Sequence, residues 1–213
     1  MSSERSAKPL TIVGLGGSLA RVSNSRAALA IALAGAASAG AETELLDLRR
    51  LNLPMYNPDD ETPNDATAGL IESCYAADGM LWSSPMYQGA ISGALKNALD
   101  WLHVLGKREP PYLHDKVIGL ISAAGGMQGL QAINTMEFAV RALRGWAVPY
   151  VVPVAAAARV FDQDGRIQDR AVELQLRTLG EEVVRVAERF AANDSLHREA
   201  ECADAAERVA AAA

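Results

Sequence analysis

Three apolar runs in this sequence stop at loops of small or rigid residues, and a helical pattern follows each one. They are Leu10–Leu15, ending among Gly14, Gly16 and Gly17; Gly79–Trp82, leading into Ser83-Ser84-Pro85; and Lys116–Ser122, leading into Ala123-Ala124-Gly125-Gly126. Short apolar runs without polar alternation suit strands buried on both faces, and helices crossing between parallel strands cover both faces. Two more strands are expected at Glu42–Leu48 and Ala147–Val154, the latter at an edge because Pro149 and Pro153 cannot donate to a ladder. Helices are expected over Ser25–Gly40, Ala66–Ala76, the stretch after Ser92, the stretch up to about Leu143, and Gln168–Ala192. Five strands alternating with helices through right-handed crossovers define an α/β fold, a doubly wound five-stranded parallel sheet with helices on both faces.

The 213 residues are 50% apolar and 22% charged, which suits one domain with a substantial core. We place it at residues 10–193, after a flexible polar segment 1–9 and before an alanine-rich charged tail 194–213 that is helical or frayed, with fraying favoured. A formal charge of −6 argues against nucleic acid or an anionic membrane surface as a partner, since both need a basic face. The first residues contain no apolar signal core, and no stretch reaches the about 18 apolar residues of a membrane span, so a cytoplasmic location is expected. Cys74 and Cys202 form no CxxC or metal spacing, and His103, His114 and His197 are scattered, so neither a disulfide framework nor a metal site is expected. No Ser-His-Asp set or acid pair is visible.

In an open α/β sheet, ligands bind at the carboxyl ends of the strands, and the loops after the first, third and fourth strands meet there. The first loop, Gly16–Ser25, offers backbone N–H groups at a helix N-terminus, the hydroxyls of Ser18, Ser23 and Ser25, the Asn24 amide and the Arg21 guanidinium. That set suits a terminal phosphate monoester. Two other readings compete with it. A dinucleotide fingerprint would need a third glycine where Leu19 stands, although Asp47 ends the second strand near the place of a ribose-binding acid. The plainer alternative is that the Ser and Asn residues cap the helix and Arg21 is solvated. The second loop puts Pro85, Met86, Tyr87 and Gln88 at the rim, with Tyr87 offering a ring and a polar tip and Ser92 a helix N-cap. In the third, Ala124, Gly125 and Gly126 let a flat ring approach the backbone, unless the glycines only turn the chain. The Pro- and Asp-rich stretch from Arg49 to Asp65 reads as a long loop, functional or simply solvated. Lys96 and Asp100 form an i,i+4 pair that stabilises a helix, and Trp101 reads as packing.

Pro85, Tyr87, Gly93, Leu95, Lys96, Asn97, Asp100 and Trp101 resemble the signature of the NADPH-dependent FMN reductase family, and Gly17, Ser18, Arg21, Ser23 and Asn24 resemble its phosphate loop. Gln88, Ala90 and Ser92 stand where the family usually has Asn, Ser and Pro. The resemblance covers about residues 10 to 190 and fits a flavodoxin-like strand order, 2-1-3-4-5. It implies FMN as cofactor, NADPH or NADH as hydride donor, and free flavin or another molecule as final acceptor. A flavin-dependent monooxygenase is the implied partner if reduced flavin leaves the protein. Leu53–Pro58 resembles a segment the family uses at subunit contacts, which implies a homodimer or homotetramer. The alternatives are a flavodoxin-like FMN electron carrier, whose phosphate loop would lack Arg21, and a quinone or azo reductase of the same fold.

Overall fold

A computed structural model describes residues 8–211 of the chain, with side chains described through residue 192. Residues 1–7 of the N-terminal segment and the side chains of the tail, Cys202 and His197 included, lie outside the described residues.

The chain runs through β1 (Thr11–Gly16), α1 (Asn24–Ser38), β2 (Glu42–Asp47), α2 (Leu48–Leu51), α3 (Asp65–Ala76), β3 (Gly79–Tyr87), β4 (Ala90–Ile91) and α4 (Gly93–Trp101). A 3₁₀ segment (Leu102–Lys107), β5 (Val117–Ala123), α5 (Leu130–Ala142), β6 (Trp146–Val154), α6 (Ala157–Val160) and α7 (Arg170–Ala211) complete it. The sheet order is β2-β1-β3-β5-β6, and β4 pairs antiparallel with β3 alone. With β4 set aside, this is the five-stranded parallel order expected from the sequence.

Strand side chains alternate between two apolar layers. Ile12, Leu81, Val117 and Ile121 pack with Leu29 and Leu33 of α1 and Leu179 and Val183 of α7. Val13, Met80, Trp82, Ile118 and Leu120 pack on the other face with Leu70 and Cys74 of α3, Leu95 and Leu99 of α4, and Ile133 and Met136 of α5. Burial pushes the Cys74 thiol pKa well above its ordinary value, so this cysteine is a small hydrophobe rather than a reactive group.

β6 is an edge strand, as its prolines require. Its register with β5 slips from Ile118↔Ala147 to Leu120↔Val151, so the residues around Pro149 form a bulge opposite Gly119. One expectation needs correction: Ser83, Ser84 and Pro85 are not loop residues. β3 continues to Tyr87, keeping Ser83↔Ile121, Ser84↔Ser122 and Pro85↔Ala123 in register. The polar residues tolerate this because their hydroxyls are bonded inside: Ser83 Oγ donates to Ser25 O at 2.8 Å, and Ser84 Oγ donates to Pro85 O at 2.8 Å and accepts from Ser92 N at 2.9 Å.

α1 and α7 cross with their backbones nearly touching. A Cβ on Gly35 would lie 2.2 Å from Arg177 O, and one on Gly180 would lie 1.9 Å from Ala32 O. Alanine is the better helix former, so an exposed Gly180→Ala change would be stabilising. Here we expect the reverse, a loss of about 1–3 kcal/mol from overpacking. Chemical denaturation of the variant checks this; an unchanged or raised midpoint would show that the crossing is looser than described.

Candidate functional site

Because β1, β3 and β5 are neighbours, the loops that follow them share the carboxyl edge of the sheet. The first loop is tied to β3. Gly17 N donates to Ser83 O at 3.1 Å, and a Cβ on Gly16 would fall 2.1 Å from that same carbonyl. Only glycine admits this approach.

The loop folds around hydroxyls. Ser23 is the N-cap of α1 and accepts from Arg26 N at 3.2 Å, as the capping reading requires. Its Oγ also accepts from Ser18 N at 3.2 Å and Ser18 Oγ at 3.1 Å, and lies 3.1 Å from Ser25 Oγ. Ser18, Ser23 and Ser25 are all buried, so three hydroxyls converge at one helix N-terminus. Asn24 is half-buried beside them as the first residue of α1. Arg21 is exposed and makes no ion pair among the described residues. Helix dipole, hydroxyls and guanidinium together can hold a phosphate.

Asp47 does not act as a free ribose-binding acid. It is 7% exposed, its Oδ1 accepts from Arg49 N at 3.0 Å, and its Oδ2 lies 3.8 Å from both Arg26 Nε and Arg50 Nε.

The second loop is the tip of a hairpin. Met86 pairs with Ile91 and Tyr87 with Ala90 around Gln88 (φ +50°) and Gly89 (φ +80°). Two positive φ values in a two-residue turn make the type I′ geometry, for which Asn is better suited than Gln at the first position. Gln88 therefore departs from the expected pattern at a position with a conformational cost. Pro85 is buried, Met86 partly so, and Tyr87 is 54% exposed at the rim.

The third loop is pinned to the end of β6. Ala124 N donates to Val154 O and Ala157 N to Ala124 O, both at 2.9 Å, and Ala156 N donates to Gly126 O at 3.1 Å. Neither Gly125 nor Gly126 has a positive φ, and a Cβ on either would meet nothing within 4 Å. The backbone at these two positions therefore does not require glycine, and both residues are exposed. What they leave is clear space beside Ala124, which is fully buried.

The sequence reading missed what two signature residues do. Asn97 accepts from Tyr56 N at 2.8 Å and donates to Pro54 O at 2.9 Å, and Trp101 Nε1 donates to the same Pro54 O at 2.9 Å. The Tyr56 ring meets Trp101 edge-on at 5.4 Å. The Asn97/Trp101 spacing of four was the available signal, because it puts an amide and an indole N–H on one face of α4. Tyr56 Oη also donates to Glu61 at 3.0 Å, and Lys107 donates to Glu61 at 2.8 Å; these bonds hold the Glu61 carboxyl below its ordinary pKa. Ser92 caps α4, with Leu95 N donating to its hydroxyl at 3.2 Å, and the Lys96–Asp100 pair is formed but exposed. Among the described residues no group of His, Cys, Asp and Glu could hold a metal ion.

A parallel sheet in this order, with a hydroxyl-rich helix N-terminus, an aromatic hairpin tip and a glycine loop at one edge, is a flavodoxin-like α/β architecture. More narrowly, the chain belongs to the NADPH-dependent FMN reductase family, whose sequence profile matches residues 10–159. It is 34% identical over 134 residues to the NADPH azoreductase of Bacillus sp. (strain OY1-2), covering 62% of this chain and 71% of that one. It is 31% identical over 196 residues to the NADPH-dependent FMN reductase ArsH of Shigella flexneri, covering 91% of this chain and 73% of that one. In fold it is similar to the flavoenzyme NAD(P)H:(acceptor) oxidoreductase FerB of Paracoccus denitrificans, with a TM-score of 0.69, 21% identity, and coverage of 85% and 98%. Among the described residues no helix is long and apolar enough to cross a membrane.

If Asn97 fixes the 53–58 loop, Asn97→Ala should release it. Removing both hydrogen bonds costs roughly 1–3 kcal/mol. Amide exchange at Tyr56 should then accelerate by about tenfold or more. Unchanged exchange at that amide would assign the loop's order to Trp101 alone.

Proposed function

We propose that this chain binds FMN across the three loops at the carboxyl edge and uses it to carry electrons from NADPH or NADH to an acceptor. The observation that carries this reading is the convergence of Ser18, Ser23 and Ser25, all buried, on the N-terminus of α1 beside a loop whose glycines leave open space. The donor set fits FMN. Hydroxyls, backbone N–H groups and a guanidinium match a phosphate monoester, and Gly125 and Gly126 leave room for a flat ring. In this reading Ser18, Arg21, Ser23, Asn24 and Ser25 hold the phosphate. Pro85, Met86, Tyr87 and Gln88 bound the ring on the hairpin side, and Ala124, Gly125 and Gly126 bound it on the other.

When bound, FMN supplies the redox chemistry, taking a hydride from the nicotinamide and passing electrons onward. The residues of the chain bind and orient. The phosphate loop fixes one end of the cofactor, and the Tyr87 ring shields one side from water. No side chain at this edge is required to move a proton.

A second reading of the acceptor, an azo compound or quinone, is favoured by apolar side chains exposed on the first and third loops and at the start of α5. Leu19 is 61% exposed, Met127 83% and Leu130 53%, and they would seat a flat apolar molecule better than a charged one. The azoreductase relative agrees with it. If reduced flavin instead leaves, a flavin-dependent monooxygenase is the consumer. We further propose a homodimer or homotetramer with the 53–58 loop at the contact, since Met55 is 79% exposed on a loop that Asn97 and Trp101 hold rigid. The free buried thiol of Cys74 fits a cytoplasmic location.

Anaerobic mixing of the FMN-loaded protein with NADPH or NADH should bleach the oxidised-flavin absorbance at a rate that saturates with nucleotide. Gly126→Leu, with flavin occupancy retained, should slow that step on the order of tenfold by filling the space the nicotinamide needs. Bleaching by dithionite but by neither nucleotide would make the protein an electron carrier.

A further inference from the structure

The base of the phosphate loop is secured by its own serines and by Ser83, whereas its tip, Leu19 to Val22, is exposed and lies outside any helix or strand. A side chain from elsewhere bonds that tip. Arg49, 30 residues further along the chain, donates from Nη1 to Leu19 O at 2.7 Å. Arg49 is itself well placed to hold something. It stands in α2, the short helix that follows β2 directly, and its backbone N–H donates to Asp47 Oδ1 at 3.0 Å. Asp47 pairs in register with Gly16, the last residue of β1, so its carboxylate is fixed by the sheet right beside the loop. From the other side, Arg26 in the first turn of α1 lies 3.8 Å from the same carboxylate. Leu19, Arg49, Asp47 and Arg26 therefore close a ring that ties the loop tip to both β2 and α1.

We propose that Arg49 is a positioning residue for the phosphate loop, acting through the Leu19 carbonyl to hold the stretch that carries Arg21 in its binding conformation; the inference rests on the FMN reading above. A loop held in its bound shape loses less entropy when the ligand arrives. Removing the tether returns that loss as weaker binding, and only for ligands that use the loop. Riboflavin, which has the same ring and no phosphate, does not use it.

The test is titration of the apo-protein with FMN and with riboflavin, in parent, Arg49→Met and Arg49→Lys, at two salt concentrations. Arg49→Met should raise the Kd for FMN about five- to tenfold, the range of one net hydrogen bond, and leave the Kd for riboflavin within about twofold. Arg49→Lys, which keeps a donor for Leu19 O, should fall between parent and Met. The salt dependence of FMN affinity should be the same in all three, because a tether adds no charge contact to the phosphate. Unchanged FMN affinity in Arg49→Met, equal losses for both ligands, or a flattened salt dependence would each overturn the positioning role. A parent that binds riboflavin as tightly as FMN would instead overturn the phosphate-loop reading, and this inference with it.

Discussion

Ser83 lies fully buried where β3 passes the end of β1, and it holds the proposed phosphate loop at both ends. Its carbonyl accepts from Gly17 N at the loop's start, and its hydroxyl donates to Ser25 O in the first turn of α1. Neither bond forms unless β1 and β3 are adjacent, and the adjacency is tight enough to exclude any side chain at Gly16. The position of the candidate site is thus a consequence of strand order. From Ser83 the same strand runs on through Pro85 to Tyr87, so one element anchors the 16–25 loop and carries the exposed Tyr87 ring to the same edge of the sheet.

Both faces of the sheet are sealed by helices. On one face α1 and α7 meet backbone to backbone at Gly35 and Gly180 and cover Ile12, Leu81 and Val117. On the other, α3, α4 and α5 cover Met80, Trp82 and Ile118. α4 has a second task, since its inward face supplies Leu95 and Leu99 to the core while Asn97 and Trp101 hold the 53–58 loop. The same helix that carries the Lys96–Asp100 pair thus brackets a neighbouring loop through Asn97 and Trp101. The Lys96–Asp100 pair on the exposed side adds little by comparison.

Much of this was legible in the residues. Apolar runs that end in glycine or serine-proline gave the strands, and because parallel order follows from alternating strands and helices, the three loops were expected at one edge. The extent of β3 was not legible, because Ser83 and Ser84 are polar and Pro85 reads as a break; Ser25 and Ile121, distant in sequence, and Ser92 across the hairpin supply the partners that make them strand. The two-residue β4 was too short to leave a pattern. Asp47 could be placed at a strand end from sequence, and Arg49 and Arg50 engage it locally, but its approach to Arg26 depends on where the fold sets α1 beside the end of β2. The glycines at 125 and 126 were ambiguous between turning the chain and clearing space; their ordinary φ values show that the turn does not demand them.

The central claim is that the three loops form one FMN site, and amide NMR shifts during FMN titration test it residue by residue. The account predicts shifts at Gly17–Ser25, at Met86–Gly89 and at Ala124–Met127 with a common saturation. It predicts little change at the opposite edge, around His114, Arg144 and Trp146, where β5 and β6 begin. Shifts confined to that opposite edge, or saturation at different FMN concentrations for the three loops, would contradict it.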